Sequence, residues 1–136
     1  MARPPLPLTA GQQLGSRTIG PITQTNIVRF AGAGGDFNPL HHDSGYARQA
    51  GLPDVIAMGQ LQAGLLAAWL TDLVHVEHLL GYTVRFASPL ALGETLELSG
   101  QVEAVRGDVA EAALTARVGD RVVITATARV RVAAER

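Results

Sequence analysis

Asp36 and His41, set five positions apart with Pro39 between them, are the residues of this chain whose types and spacing could carry chemistry. They lie in the segment Gly35-Asp36-Phe37-Asn38-Pro39-Leu40-His41, and Ala47 follows. Proline blocks an ordinary helix through the segment, so a sharp turn there can aim both side chains into one cleft. A carboxylate and an imidazole facing one space are the equipment of paired acid/base catalysis, with histidine close to ideal near neutral pH and aspartate a weaker base. Taken alone, an aspartate after glycine is more often a residue that ends a helix or makes a turn. The neighbouring His42 reads as exposed and inert. His75-x-x-His78 with Glu77 suggests a metal-binding face, but no third ligand is indicated and a polar helix end explains it better.

The bulk composition narrows the classes. At 136 residues the chain is long enough for one domain with a core, and its 47% apolar and 17% charged residues describe an ordinary globular protein. A net charge of −1, with the eleven basic residues all arginine and scattered, provides no basic field for nucleic acid or an anionic membrane. The absence of cysteine removes disulfides, thiolate catalysis and cysteine-ligated zinc. The start Met-Ala-Arg-Pro-Pro-Leu-Pro has no apolar stretch of the signal-peptide kind. The uncharged run from Val55 to Thr71 is broken by Gln60 and Gln62 and is marginal for a bilayer span, so a buried helix and a cytoplasmic setting are expected.

Elements must position the pair. Residues 1–10, rich in proline, read as an extended lead-in, with the domain proper over 11–136. A strand is expected near Gln13–Ile19. A helix capped by Thr23 or Thr25 follows over about Gln24–Ala33, stopped by Gly32, Gly34 and Gly35. Asp43 or Ser44 can cap a short second helix, with Gly51 just past its end. The dominant helix, about Gly59 to Val74, is apolar nearly all round, which predicts burial inside other structure. From Leu80 the pattern alternates with period two: Tyr82–Ala87, the run from Thr95, the run from Ala110 and the run from Val122. Gly107-Asp108 and Gly119-Asp120 sit at the hairpin turns. The layout is α+β, an antiparallel sheet wrapped around a long central apolar helix.

With these elements in place, the chain resembles the MaoC-like, R-specific enoyl-CoA hydratase family of the hotdog fold. That family's hydratase motif reads Gly-Asp-x-Asn-Pro-(aliphatic)-His, five residues, then a small residue, and every fixed position is matched from Gly35 to His41 and at Ala47. Phe30-Ala31-Gly32 before the motif, Gly51 through Gly59 after it, and the later Val84–Pro89 and Gly93–Leu96 also follow the family, so the likeness covers roughly residues 11–132. Two stretches depart. Many members read Ile-Ala-His-Gly-Met at the helix entry, where this chain has Ile56-Ala57-Met58-Gly59-Gln60. Some place a serine farther along the helix, where Ala67 and Ala68 stand.

The resemblance implies a reversible hydration or dehydration of 2-enoyl and (R)-3-hydroxyacyl thioesters, with coenzyme A the favoured carrier and an acyl-carrier protein the alternative. Asp36 and His41 would hold one water and act together, and Gly59 would offer its backbone N–H to the thioester oxygen. Asn38 and Pro39 would shape the turn, and Met58 would replace a histidine donor. No metal and no cofactor beyond the thioester are implied. Arg85 is a candidate for a coenzyme phosphate or simply a solvated strand arginine. Gly64, Ala67 and Ala68 leave room for a bulky acyl group or admit close sheet packing. The family works as two-chain assemblies, so a homodimer, or a heterodimer with a second hotdog chain in which this one is the catalytic member, is expected. A hotdog thioesterase would place a carboxylate on the central helix, and Val55–Thr71 has none. A non-catalytic acyl-thioester-binding protein is the remaining alternative.

Overall fold

In the computed structural model, which describes residues 2–134, the chain runs β1 (Gln13–Ile19), α1 (Gln24–Gly34), α2 (Ser44–Gln49), α3 (Gly59–Val74), β2 (Leu79–Phe86), β3 (Leu96–Arg106), β4 (Val109–Val118) and β5 (Arg121–Arg131). The strands form one antiparallel sheet in the order β1-β3-β4-β5-β2, the hotdog arrangement of a sheet curled around one long helix. No helix among the described residues is long and apolar enough to cross a membrane.

Alternation along the strands places Leu96, Leu98 and Val102 of β3, and Ala110, Ala112, Leu114 and Ala116 of β4, on the buried face. Gly107 and Gly119 adopt positive φ at the first position of the two-residue hairpins, the place where a type II′ turn requires it. In β5 the expected alternation slips. Val123 is buried and Val122 only partly, because the pairing register shifts between Ala116 and Arg117. This bulge turns the Val123 carbonyl toward the N–H groups of Ala87 and Ser88 and so fixes the chain leaving β2.

The dominant helix has the bounds its sequence predicts, but it is covered on one side only. Gln62, Ala63, Leu66, Trp69, Leu70 and Val74 are buried, while Gln60, Gly64, Ala68 and Asp72 form an exposed stripe. The sheet reaches around half of the cylinder, and the far face carries small residues, which leave little apolar surface uncovered. A side chain at Gly64 would meet nothing within 4 Å, so close sheet packing is not why that position is glycine. Two further boundaries differ from expectation. Gly32 and Gly34 lie inside α1, and only Gly35, with φ 68°, ends it; β2 begins at Leu79 rather than near Tyr82. The N-terminal segment has no regular structure yet is pinned: Leu8 is buried, the Ala133 N–H donates to the Leu6 carbonyl, and Arg3 pairs with Glu77.

Candidate active site

The turn after α1 is built almost wholly from its own polar atoms. Thr23 and Asn26 cap the start of α1 reciprocally, and Gly35 in the left-handed conformation ends it. The Asp36 N–H is held by the Ala31 carbonyl at 3.0 Å. Asn38 then does two things. Its side-chain oxygen accepts from the Leu40 N–H at 3.0 Å, and its backbone N–H donates to Asp36 Oδ1 at 3.3 Å. Pro39 opens a single 3₁₀ turn, Pro39–His41, where its missing N–H is not needed and its fixed φ helps. Five residues of separation thus become a direct contact, with His41 Nε2 3.2 Å from Asp36 Oδ2.

The ring is anchored from behind. His41 Nδ1–H donates to the Ile56 carbonyl at 2.7 Å, and the Ile56 N–H donates to the Leu40 carbonyl at 3.0 Å, so residue 56 is zipped to the turn from both sides. Because a carbonyl can only accept, this bond assigns the proton to Nδ1 and aims Nε2 at Asp36. Nε2 is left facing the Asp36 carboxylate at 3.2 Å, close enough for both groups to reach one reacting molecule. His41 is 7% exposed, whereas the Asp36 side chain is 46% exposed, so the ring lies deep and the carboxylate at the mouth.

The strand-like segment that receives His41 is itself held. The Val55 N–H and the Ser44 hydroxyl both donate to the Asp54 carboxylate, which holds its pKa below the usual value, with Arg48 adding a smaller effect. The Ala57 N–H donates to the Leu90 carbonyl at 2.8 Å. On the other wall, Ser88 donates to the Val122 carbonyl, and Arg121 bonds Ser88, the Pro89 carbonyl and Glu94.

These walls enclose a cleft of about 520 Å³, lined among others by Asp36, Met58, Gly59, Gln62, Phe86 and Ser88. Gly59 opens α3. Met58 provides no side-chain cap, so the first-turn N–H groups at this positive helix end have no side-chain acceptor. The Phe86 ring lies over Gly59 so closely that a Cβ there would come within 2.7 Å of it.

Of the residues singled out from sequence, Asp36, Met58 and Gly59 share the cleft, and His41 joins them through Asp36. Asn38 and Pro39 shape the turn without lining it. His42 is exposed, with Nε2 on the Phe37 carbonyl. His78 is buried, its Nε2–H donating to the Arg3 carbonyl, and Glu77 is engaged by Arg3. Arg85 is exposed and lines a separate hollow with Thr83, Thr125 and Thr127. Trp69 is core. Sequence reasoning missed Gln62 and Phe86. The signal for Gln62 was available as a polar residue inside an apolar helix; for Phe86 nothing local distinguished it from other strand residues.

A family model, the MaoC-like domain, matches residues 7–127. The chain belongs to the MaoC-like family. Among relatives, a 3-hydroxybutyryl-CoA dehydratase of Methylorubrum extorquens is 32% identical over 119 residues, 82% of this chain and 73% of that protein. A 3-hydroxyacyl-thioester dehydratase X of Mycobacterium tuberculosis is 38% identical over 77 residues, 57% of this chain, and the match spans only 27% of that longer protein. In structure, the unliganded R-hydratase PhaJ1 from Pseudomonas aeruginosa superposes with a TM-score of 0.83 at 26% identity, over 96% of this chain and 88% of that one. PhaJ1 shares the helix-on-sheet frame in which the Asp36–His41 turn is set.

Proposed function

We propose that this chain is a hydro-lyase that reversibly hydrates 2-enoyl thioesters to (R)-3-hydroxyacyl thioesters, with coenzyme A as the carrier. The observation that carries the reading is the Asp36–His41 contact at 3.2 Å, set at the cleft where α3 begins. A water held by both side chains loses one proton to the pair as its oxygen bonds the β-carbon, and the pair delivers one proton to the α-carbon. The pair ends with the proton count it began with. Both transfers come from one side of the substrate, so addition is syn. Negative charge that builds on the thioester oxygen is met by the Gly59 N–H at the positive end of α3. Met58 has no hydrogen to donate there, so the backbone does this work. Asn38 and Pro39 act by holding Asp36 in place, and the reaction requires no metal and no redox cofactor.

The working unit is two chains. β2 is an edge strand whose outer side is unpaired among the described residues, and it carries the exposed Leu80 and Phe86. Phe86 also lines the cleft, so a chain joined at this edge would complete the site's wall. A cysteine-free chain of this kind suits the reducing cytoplasm. The test is hydration of 2-enoyl-CoA by the purified chain, with chiral analysis of the product; an S product, or no product from a folded dimer at any acyl length, contradicts the proposal.

A further inference from the structure

The first turn of α3 carries a polar side chain that the account above leaves unused. Gln62 is 2% exposed, its Oε1 is buried without a hydrogen-bond partner, and its amide nitrogen makes no hydrogen bond among the described residues. Yet Gln62 lines the same cleft as Asp36 and Gly59. A buried, unsatisfied carboxamide oxygen costs roughly 1–3 kcal/mol, a burden a fold sheds easily by placing leucine or methionine there. The other polar side chains of the cleft are already engaged or solvated: Asp36 by His41 and the Asn38 N–H, Ser88 by Val122 and Arg121, and Gln60 by exposure. Of the cleft's polar side chains, Gln62 alone keeps a buried side-chain oxygen with nothing to bond.

Its position says what it would meet. Residues i and i+3 of a helix share a face, and helical side chains lean toward the N-terminus, so Gln62 extends back over the turn opened by Gly59. That is where the first N–H groups of α3 lie without a side-chain cap and where the neighbouring Met58 provides no side-chain donor.

We propose that Gln62 is a further catalytic residue. Its amide N–H donates to the thioester oxygen beside the Gly59 N–H, making a two-donor site for the charge that develops as water adds to the β-carbon. This rests on the hydratase reading above. No bond to Gln62 forms or breaks; a half-turn of the carboxamide puts its N–H where the orphaned Oε1 lies, and so supplies a donor where Met58 cannot.

The experiment uses the full-length chain with a 2-enoyl-CoA as probe, comparing wild type, Gln62→Met, Gln62→Glu and Asp36→Asn by steady-state kinetics and thermal melting. Gln62→Met keeps length and removes the amide. It should melt at or above the wild-type temperature, because an unsatisfied buried group is gone. Its kcat should fall about 100-fold with KM within about threefold, as loss of one donor to a developing oxyanion does. Gln62→Glu places a like charge beside that oxygen, so its activity should rise as pH falls and the carboxyl regains a donor hydrogen, a limb absent from wild type. Gln62→Met with more than a third of wild-type kcat overturns the proposal, and so does Gln62→Glu with a wild-type pH profile, which also decides the case if Gln62→Met does not fold. If Asp36→Asn is inactive while both Gln62 variants are normal, this inference alone fails; if the wild type has no turnover, the reading beneath it fails with it.

Discussion

Replacing His41 separates the proton chemistry of the proposed site from its architecture. The ring does two jobs through its two nitrogens: Nε2 faces Asp36 at 3.2 Å, and Nδ1–H holds the Ile56 carbonyl at 2.7 Å. His41→Ala loses both. Removing a positioned acid/base group costs about 10²- to 10⁴-fold in rate, which at about 1.36 kcal/mol per tenfold is roughly 3–5 kcal/mol of barrier. Leaving the Ile56 carbonyl without its donor costs about 1–3 kcal/mol of stability, and at roughly 3–4 °C per kcal/mol for a chain of this size the melt should fall by several degrees. His41→Gln divides the two effects. Its amide N–H can still reach the Ile56 carbonyl, but it cannot accept and return a proton. Hydration of a 2-enoyl-CoA should therefore be as slow as in His41→Ala, while most of the lost melting temperature returns. A His41→Gln enzyme retaining more than a tenth of wild-type kcat would refute the reasoning, because a group that cannot titrate would then be sufficient.

Four further outcomes are expected. Gly59→Ala puts a methyl against the Phe86 ring, which is half-exposed and can swing aside; the melt should change little while kcat/KM drops roughly 10- to 100-fold, the order expected for disturbing one oxyanion donor. Leu66→Ala, at a position with no exposure, should lose about 2–5 kcal/mol in denaturant unfolding. Asp54→Asn removes a carboxylate whose pKa is held down by the Val55 N–H and the Ser44 hydroxyl. Such a group stabilises the fold above its unfolded pKa and loses that contribution as pH falls through the folded value, so the difference in melting temperature between wild type and variant should be full at pH 7 and close below about pH 4. Sedimentation should give the mass of two chains, and Leu80→Glu, which would bury a charge along the β2 edge, should shift it toward one; a wild type that sediments as a single chain refutes the proposed edge contact.

Most of the frame was legible because it obeys local rules. The apolar run after Gly59 and the period-two strands announced α3 and β3 to β5, the two Gly-Asp hairpins fixed the ends of those strands, and Thr23 marked the start of α1. The bulge at Val123 was not legible, since a one-residue slip is decided by the partner strand rather than by β5 itself. The motif fixed Asp36 and His41 as candidates, but nothing in the spacing revealed that the Ile56 carbonyl selects the tautomer, because residue 56 arrives from a separate segment. Gln62 and Phe86 were hidden for the same reason. One was read only as an interruption of an apolar helix and the other only as a strand residue, and it is the packing of β2 against the start of α3 that brings both to the cleft.

The most direct test of the central claim is hydration of short and medium 2-enoyl-CoAs by the purified chain, followed as loss of enoyl absorbance, with Asp36→Asn alongside. The wild type should turn the substrate over to the R-hydroxyacyl product, and the variant, still folded and still dimeric, should lose at least 100-fold, the scale of a lost acid/base partner. Undiminished turnover in Asp36→Asn, or none in a folded wild-type dimer across acyl lengths, would contradict the claim.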